Sequence, residues 1–217
     1  MMKRLLFAIF AVAFAVNAEA QQAKPKFLPQ PPPPPEVVPT PPEATATLQT
    51  SMGNIVIRLE SKKAPRTVDN FITYAKAGYY DNMRIYRVAP DFLIQMGDVT
   101  AEGGVKNPLK RPVKLETDSG LKHGVGTVSL AHADSGPNTG SNTFYIDLGP
   151  NASLNPKAGA PKNTTGYAVF GRVISGLDVA QKIAAVKRKP KSAGGAFPGQ
   201  EPVTPVVLKK VTITEGK

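Results

Sequence analysis

Two polar residues interrupt an otherwise apolar stretch of the chain, IYRVAPDFLIQMGD at positions 85–98. Arg87 and Gln95 stand there among Ile, Val, Phe, Leu and Met side chains that suit a packed core. A buried guanidinium or amide costs several kcal/mol unless something binds it. The two groups therefore either lie on an exterior face, where charged strand residues usually lie, or face together into an apolar pocket.

Residues of conventional catalytic types are few. The chain has two histidines, His123 and His132, and their spacing matches neither a helical pair of metal ligands nor a zinc site. Ser129 and Ser135 are close to His132 in sequence, but no carboxylate is placed to orient a base. We interpret these side chains as ordinary polar surface residues. The chain has no cysteine, which excludes a thiolate nucleophile. We predict no metal and no cofactor.

Alternation of apolar and polar residues predicts strands around the candidate pair. ATLQT and NIVIRLE flank the turn at 51–53 and predict a β-hairpin. RIYRV and DFLIQMG predict two strands separated by a turn at 89–91. Arg87 and Gln95 are eight residues apart, an even number that would put them on one face of a continuous strand. Because the turn interrupts the register, this spacing does not decide which face they occupy. Further strands are predicted at 126–131, 142–148, 168–173 and 205–214.

Helical periodicity occurs in two segments. APRTVDNFITYAKAGY begins with a proline, is followed by a glycine, and carries one apolar stripe: Val68, Phe71, Ile72 and Ala75. A second helix is predicted over about 176–186, with three residues facing inward: Val179, Ile183 and Val186. Many short strands and only two helices predict a mainly β fold, a closed β-barrel with helices at its ends. Three long loops, expected to be functional or mobile, connect the elements at 98–125, 149–166 and 187–204.

The first twenty residues have the pattern of a secretory signal peptide. Lys3 and Arg4 precede twelve apolar residues, and Ala18-Glu19-Ala20 is a small-x-small cleavage signal. Twelve is short of the ~20 that a membrane span needs, so we predict cleavage after Ala20 over an uncleaved tether. Cleavage leaves 25 basic and 15 acidic residues, a charge of +10. For an exported protein, that charge favours the anionic polymers and membranes of a cell envelope over nucleic acid.

A proline-rich linker is predicted between the signal peptide and the folded domain, over residues 21–43. KPKFLPQPPPPPEVVPTPP holds ten prolines in nineteen residues, a composition typical of an extended polyproline II segment. At ~3.1 Å per residue this segment could reach roughly 60 Å. We interpret it as a tether, with a docking motif for a proline-binding partner as the alternative. The folded domain is predicted to occupy residues 44–217.

Three sequence motifs follow one another along that domain. The first is the Arg-x4-Phe-x2-Gln spacing within IYRVAPDFLIQMGD. The second is the GPNT turn before a strand in GTVSLAHADSGPNTGSNTFYI, and the third is the VFGRV strand in GYAVFGRVISGLDVAQKI. Over about residues 45–214 the chain resembles the cyclophilin-type peptidyl-prolyl cis-trans isomerases, most closely their exported bacterial branch. The resemblance implies an eight-stranded antiparallel barrel capped by two α-helices, and a monomer.

The resemblance also implies site residues, position by position. Arg87 matches the essential catalytic arginine of the family. The implied substrate-binding residues are Phe92, Leu93, Gln95, Ala131, His132, Thr143, Tyr145, Leu154 and Tyr167. The chain departs from the common pattern at four positions. These are Tyr86 in place of His, Met96 in place of Gly, Thr143 in place of Gln, and Ser153 in place of an aromatic residue.

The activity implied is acceleration of X-Pro bond rotation in proline-containing unfolded or exported polypeptides, with the periplasm as the expected compartment. No covalent bond breaks in this reaction, so the scarcity of nucleophiles and general acids is consistent with it. One alternative is a catalytically weak chaperone or peptide-binding module with the cyclophilin fold, which Thr143 and Ser153 favour. Another is a basic adaptor that acts through its charge and its linker and is therefore sensitive to salt.

Overall fold

The structure, a computed structural model, describes residues 39–216; the predicted signal peptide and most of the predicted linker lie outside the described residues. Within residues 39–216 there are eight strands and two α-helices. The strands are β1 (Ala44–Thr50), β2 (Gly53–Leu59), β3 (Met83–Ala89), β4 (Leu93–Thr100), β5 (Thr127–Leu130), β6 (Phe144–Asp147), β7 (Ala168–Ser175) and β8 (Val206–Glu215). The helices are α1 (Pro65–Lys76) and α2 (Leu177–Ala184).

The strands form a closed barrel in the order β1-β2-β7-β5-β6-β4-β3-β8. Every neighbouring pair is antiparallel, and β8 pairs back onto β1 to complete the ring. Closure leaves no strand edge free for pairing with another chain. The predicted eight-stranded antiparallel barrel with two helices is confirmed.

Aromatic rings fix α1 against the barrel. All four residues of its predicted apolar stripe are buried. The Phe71 ring lies 5.2 Å from the rings of Phe144 on β6 and Phe170 on β7, and 5.4 Å from that of Tyr80. Such edge and offset contacts add to the free energy gained from burying apolar area. Of the three residues predicted to face inward from the second helix, Ile183 is buried, and Val179 is half-buried against the core. Val186 is also half-buried against the core, but it lies two residues past the end of α2.

A bulge in β3 decides which face the two candidate residues occupy. Ile85 and Val88 are both buried in the core, although strict alternation would put residues three apart on opposite faces. The register between β3 and β4 shifts between Ile85 and Arg87, which accounts for the burial of both Ile85 and Val88 on the same face. After the shift Arg87 lies directly opposite Gln95, and Gln95 alternates with core residues of β4. Both side chains therefore project from the outer face of the barrel.

Candidate active site

A cavity of about 460 Å³ lies on the outer side of the barrel next to Arg87. Loops and strand ends that are far apart in sequence build its walls. Its lining residues are Arg87, Phe92, Leu93, Gln95, Ala131, His132, Ala133, Asp134, Tyr145, Leu154, Tyr167 and Phe197. Arg87 and Gln95 therefore lie on the exterior face of the barrel and also line a pocket, because loops cover this part of the exterior.

Nine of the ten site residues inferred from the sequence line this cavity. Thr143 does not line it, but its main-chain carbonyl accepts a hydrogen bond of 2.9 Å from the amide of Ala131, which does. Ser153, at the position of the missing aromatic residue, is exposed and also outside the lining. The sequence reasoning missed Ala133, Asp134 and Phe197, which also line the cavity.

The Arg87 guanidinium is held by two neutral carboxamides. Its Nη1 donates to Gln95 Oε1 over 3.0 Å, and its Nε donates to Gln200 Oε1 over 2.7 Å. Within residues 39–216 Arg87 forms no ion pair, and its Nη2 has no hydrogen-bond partner. Partial burial accordingly lowers the pKa of Arg87. The site thus presents an oriented positive charge with N–H donors left for a ligand.

Gln95 is oriented from its other side by Tyr86. Because a guanidinium only donates, the Gln95 oxygen must face Arg87, and its Nε2 then donates to the Tyr86 hydroxyl over 2.8 Å. Burial raises the pKa of Tyr86, which keeps this hydroxyl neutral. Burial also raises the pKa of Asp98, and the neighbouring Tyr86 hydroxyl partly offsets this by favouring the carboxylate. Hydrogen bonds thus connect Tyr86 to Arg87 through Gln95, and Asp98 lies close enough to Tyr86 for the two groups to influence each other's pKa.

Aromatic rings form much of the remaining wall. The Phe92 ring centre lies 5.4 Å from Arg87 Cζ. Tyr167 makes an edge contact with Tyr145 at 5.9 Å and stacks on His132 at 4.4 Å between ring centres. His132 Nε2 is 2.9 Å from the carbonyl oxygen of Gly166, so the His132 ring is tied to the segment before Tyr167. The result is a cavity with both aromatic and polar walls beside a cation, which suits an apolar ring attached to a polar amide.

The expectation that His123 and Ser129 are surface residues is wrong, because both are buried. His123 Nδ1 lies 2.9 Å from Asp147 Oδ2, and the Ser129 hydroxyl is 3.5 Å from the same nitrogen. The other ring nitrogen faces the carbonyl of Tyr167 at 3.3 Å. A serine triad needs the serine and the carboxylate on opposite ring nitrogens, so this arrangement does not form one. The sequence analysis could not place the Asp147 carboxylate next to His123, because Asp147 lies on β6, in another part of the chain.

No three His, Asp or Glu side chains in the described part of the chain are grouped so that they could hold a metal ion.

Comparisons with known proteins agree with this architecture. The family model for cyclophilin type peptidyl-prolyl cis-trans isomerases matches residues 45–213. The chain is 39% identical over 172 residues to peptidyl-prolyl cis-trans isomerase cyp18 of Streptomyces antibioticus, covering 78% of this chain and 98% of that protein. It is 36% identical over 170 residues to peptidyl-prolyl cis-trans isomerase B of Escherichia coli, covering 78% of this chain and 99% of the relative.

A solved structure shows the same fold. A cyclophilin type peptidyl-prolyl cis-trans isomerase from Cryptosporidium parvum, solved in the presence of the dipeptide Ala-Pro, superposes with a TM-score of 0.63 at 23% identity. The match covers 79% of this chain and 99% of that structure. From the family match and the identities over nearly the full length of the relatives, the chain belongs to the cyclophilin-type peptidyl-prolyl cis-trans isomerase family.

Proposed function

We propose that this isomerase accelerates X-Pro rotation in exported proteins by donating a hydrogen bond from Arg87 to the prolyl nitrogen. The observation that carries the proposal is the guanidinium held by Gln95 and Gln200 at the wall of a cavity that also contains aromatic rings, with its Nη2 donors unpaired among the described residues. The substrate-binding role is proposed for Phe92, Leu93, Gln95, Ala131, His132, Tyr145, Leu154 and Tyr167, with Thr143 supporting Ala131 through the main chain.

The chemistry follows from the peptide bond itself. Resonance gives rotation about the bond a barrier of ~18–20 kcal/mol, whereas the cis and trans forms of an X-Pro bond differ by only ~0.5–1 kcal/mol. The planar amide delocalises the nitrogen lone pair, and the twisted transition state localises it. A donor that is fixed near the nitrogen therefore binds the transition state more strongly than either planar state, which is the condition for catalysis.

The apolar side chains of the cavity wall also favour the transition state over the planar amide. Side chains such as Phe92, Leu93 and Tyr145 can hold the pyrrolidine ring, and they exclude the water that stabilises the more polar planar amide. The carboxamides on Arg87 do not neutralise its charge, as a carboxylate would. A charge-assisted hydrogen bond contributes ~1.5–3 kcal/mol, which corresponds to roughly 10- to 150-fold in rate. Exclusion of water and orientation of the peptide supply the rest.

Export and domain organisation are part of the proposal. A signal peptide over 1–20 and a proline-rich linker over 21–43 would deliver the domain, beginning at residue 44, to folding proteins outside the cytoplasm. The sequence of the first twenty residues supports this, as does the start of β1 at Ala44. None of the helices within residues 39–216 has the length and apolar character needed to cross a bilayer.

Isomerase activity is separated from a chaperone role by two assays on the same preparation. The first follows cis-to-trans conversion of an Ala-Pro test peptide by nuclear magnetic resonance exchange spectroscopy. The second follows aggregation of an unfolded protein that has no slow prolyl phase. We expect rapid exchange in the first assay. Suppressed aggregation without peptide exchange would instead establish the peptide-binding module.

A further inference from the structure

The loop before β8 contains a tight turn, Phe197-Pro198-Gly199-Gln200. The Gln200 amide donates to the Phe197 carbonyl over 3.0 Å. Gly199 has a φ of +77°, which glycine adopts without strain, and proline precedes it. These are the features of a type II turn, with proline second and glycine third. The turn brings the residues at its two ends, Phe197 and Gln200, close together.

The turn is fastened to the strand that carries Arg87. The main-chain amide of Val88 on β3 donates to the Gln200 carbonyl over 2.7 Å. On the far side, the Lys189 amide donates to the Glu201 carbonyl over 2.8 Å. Main-chain bonds of this kind do not depend on the Gln200 side chain. A substitution there should therefore leave the position of the turn unchanged.

Both ends of the turn contact the Arg87 guanidinium. Gln200 Oε1 accepts from Nε over 2.7 Å, while the Phe197 ring centre lies 4.1 Å from Cζ, well within the range of a cation–π contact. Gln95 holds the guanidinium at a different nitrogen, Nη1. Two acceptors on different nitrogens fix both the position and the plane of the guanidinium. Its Nη2 then remains the donor available to a substrate.

Phe197 also separates two cavities. It lines the cavity of about 460 Å³ next to Arg87 and a second cavity of about 180 Å³ on its other side. The smaller cavity is bounded by Arg84, Tyr86, Val99, Gly103 and the segment 194–197, together with Glu201. The Phe197 ring stacks on Tyr86 at 6.2 Å, which keeps it in this dividing position. A peptide with its proline in the larger cavity would pass a neighbouring side chain over this ring.

We propose that the 197–200 turn belongs to the isomerase site, with Gln200 as a positioning residue for Arg87 and Phe197 as a specificity wall. Phe197 favours substrates with a large apolar side chain beside the proline. The inference rests on the proposed role of Arg87. It assigns a function to the loop at 187–204, which its length had led us to expect to be functional or mobile.

The first test compares Gln200→Leu with Gln181→Leu, a matched control at an exposed position of α2. We expect Gln200→Leu to lower kcat/KM on an Ala-Pro peptide about five- to tenfold, mainly through kcat, and Gln181→Leu to leave it unchanged. In an Arg87→Ala background, Gln200→Leu should cause no further loss. An equal loss in both backgrounds would overturn the positioning role. Turnover that is insensitive to Arg87→Ala would overturn the proposed function itself.

A second readout does not depend on turnover. The proton on Arg87 Nε gives its own nuclear magnetic resonance signal, and its bond to Gln200 should slow its exchange with water. Gln200→Leu should shift this signal and speed its exchange, whereas Gln181→Leu should do neither. An unchanged signal in Gln200→Leu would contradict the structure's assignment.

The specificity role is tested with two peptide series that carry Gly or Leu on either side of the proline. We expect Phe197→Ala to reduce the preference for Leu over Gly at one of these positions about two- to tenfold. Phe197→Leu should retain most of the preference. An equal loss of kcat/KM on every peptide would show that Phe197 acts on Arg87 or on folding alone, and would refute the specificity wall.

Discussion

Arg87 and Gln95 face each other across β3 and β4 and are joined by a hydrogen bond of 3.0 Å from Nη1 to Oε1. The pairing depends on the bulge before Arg87, which turns the side chain away from the core that Ile85 and Val88 enter. A regular strand would direct Ile85 and Arg87 to the same face. Because of the bulge, this hairpin directs the Arg87 and Gln95 side chains into a cavity on the outer side of the barrel.

Asp98 is expected to give the protein a pH-dependent stability. Burial raises the pKa of Asp98 above its value in the unfolded chain, and one of its oxygens, Oδ1, has no hydrogen-bond partner among the described residues. The folded state therefore binds the proton more tightly. This contribution to stability is complete below the unfolded pKa and is lost as the pH rises through the folded pKa.

Asp98→Asn removes the ionised form and tests that expectation. The melting temperature of Asp98→Asn relative to the parent should increase as the pH is raised from 4 to 7, as measured by circular dichroism. Asp118→Asn, at an exposed loop position, is the matched control. A difference between Asp98→Asn and the parent that is constant across this range would contradict the account.

The buried pair of His123 and Asp147 is expected to be structural. Both side chains are fully buried, and Asp147 Oδ2 also accepts from the Thr127 hydroxyl over 2.6 Å. Removing one partner of a buried pair typically costs ~3–5 kcal/mol because the other is left without compensation. Asp147→Ala should lower the free energy of unfolding in urea by about this amount.

The exposed pair of Lys182 and Asp178 on α2 provides the comparison for that experiment. Asp178→Ala should leave the urea midpoint nearly unchanged, because exposed ion pairs contribute little. If the two substitutions had equal effects, the buried pair would not be the structural element inferred here.

Tyr145 carries a hydroxyl that the fold does not satisfy. The hydroxyl is buried without a hydrogen-bond partner in the described chain, since Ser129 is near it but outside hydrogen-bond geometry. An unsatisfied buried hydroxyl costs ~1–3 kcal/mol. Tyr145→Phe should therefore raise the free energy of unfolding and keep the cavity's shape, with kcat/KM within about twofold of the parent. A large loss of stability would reveal a partner for the hydroxyl, such as bound water.

Much of the fold was predictable because it is local. The helical stripe that includes Val68 and Phe71, and the alternation along the strands, follow from residues a few positions apart. The face that Arg87 occupies was not predictable, because the bulge that sets it arises in the pairing of β3 with β4. The position of Arg87 in a cavity was not predictable from alternation either, since loops form part of the cavity wall.

The contacts to Arg87 and His123 that the sequence analysis missed share one property. Phe197 and Gln200 reach Arg87 from more than a hundred positions away in the chain, and Asp147 reaches His123 from a separate strand. Contacts of this kind leave no periodic pattern. A Pro-Gly pair such as that at 198–199 is typical of a turn, but it gives no indication of what the turn contacts.

The most direct test of the account is the isomerisation rate of an Ala-Pro peptide with the parent chain, Arg87→Ala and Arg87→Lys. Lysine keeps the charge but lacks the planar fork that Gln95 and Gln200 bind at separate nitrogens. We predict that Arg87→Ala loses at least about tenfold in kcat/KM and that Arg87→Lys recovers only a small part of it. Turnover in Arg87→Ala equal to that of the parent would contradict the account, since catalysis would then not depend on the guanidinium.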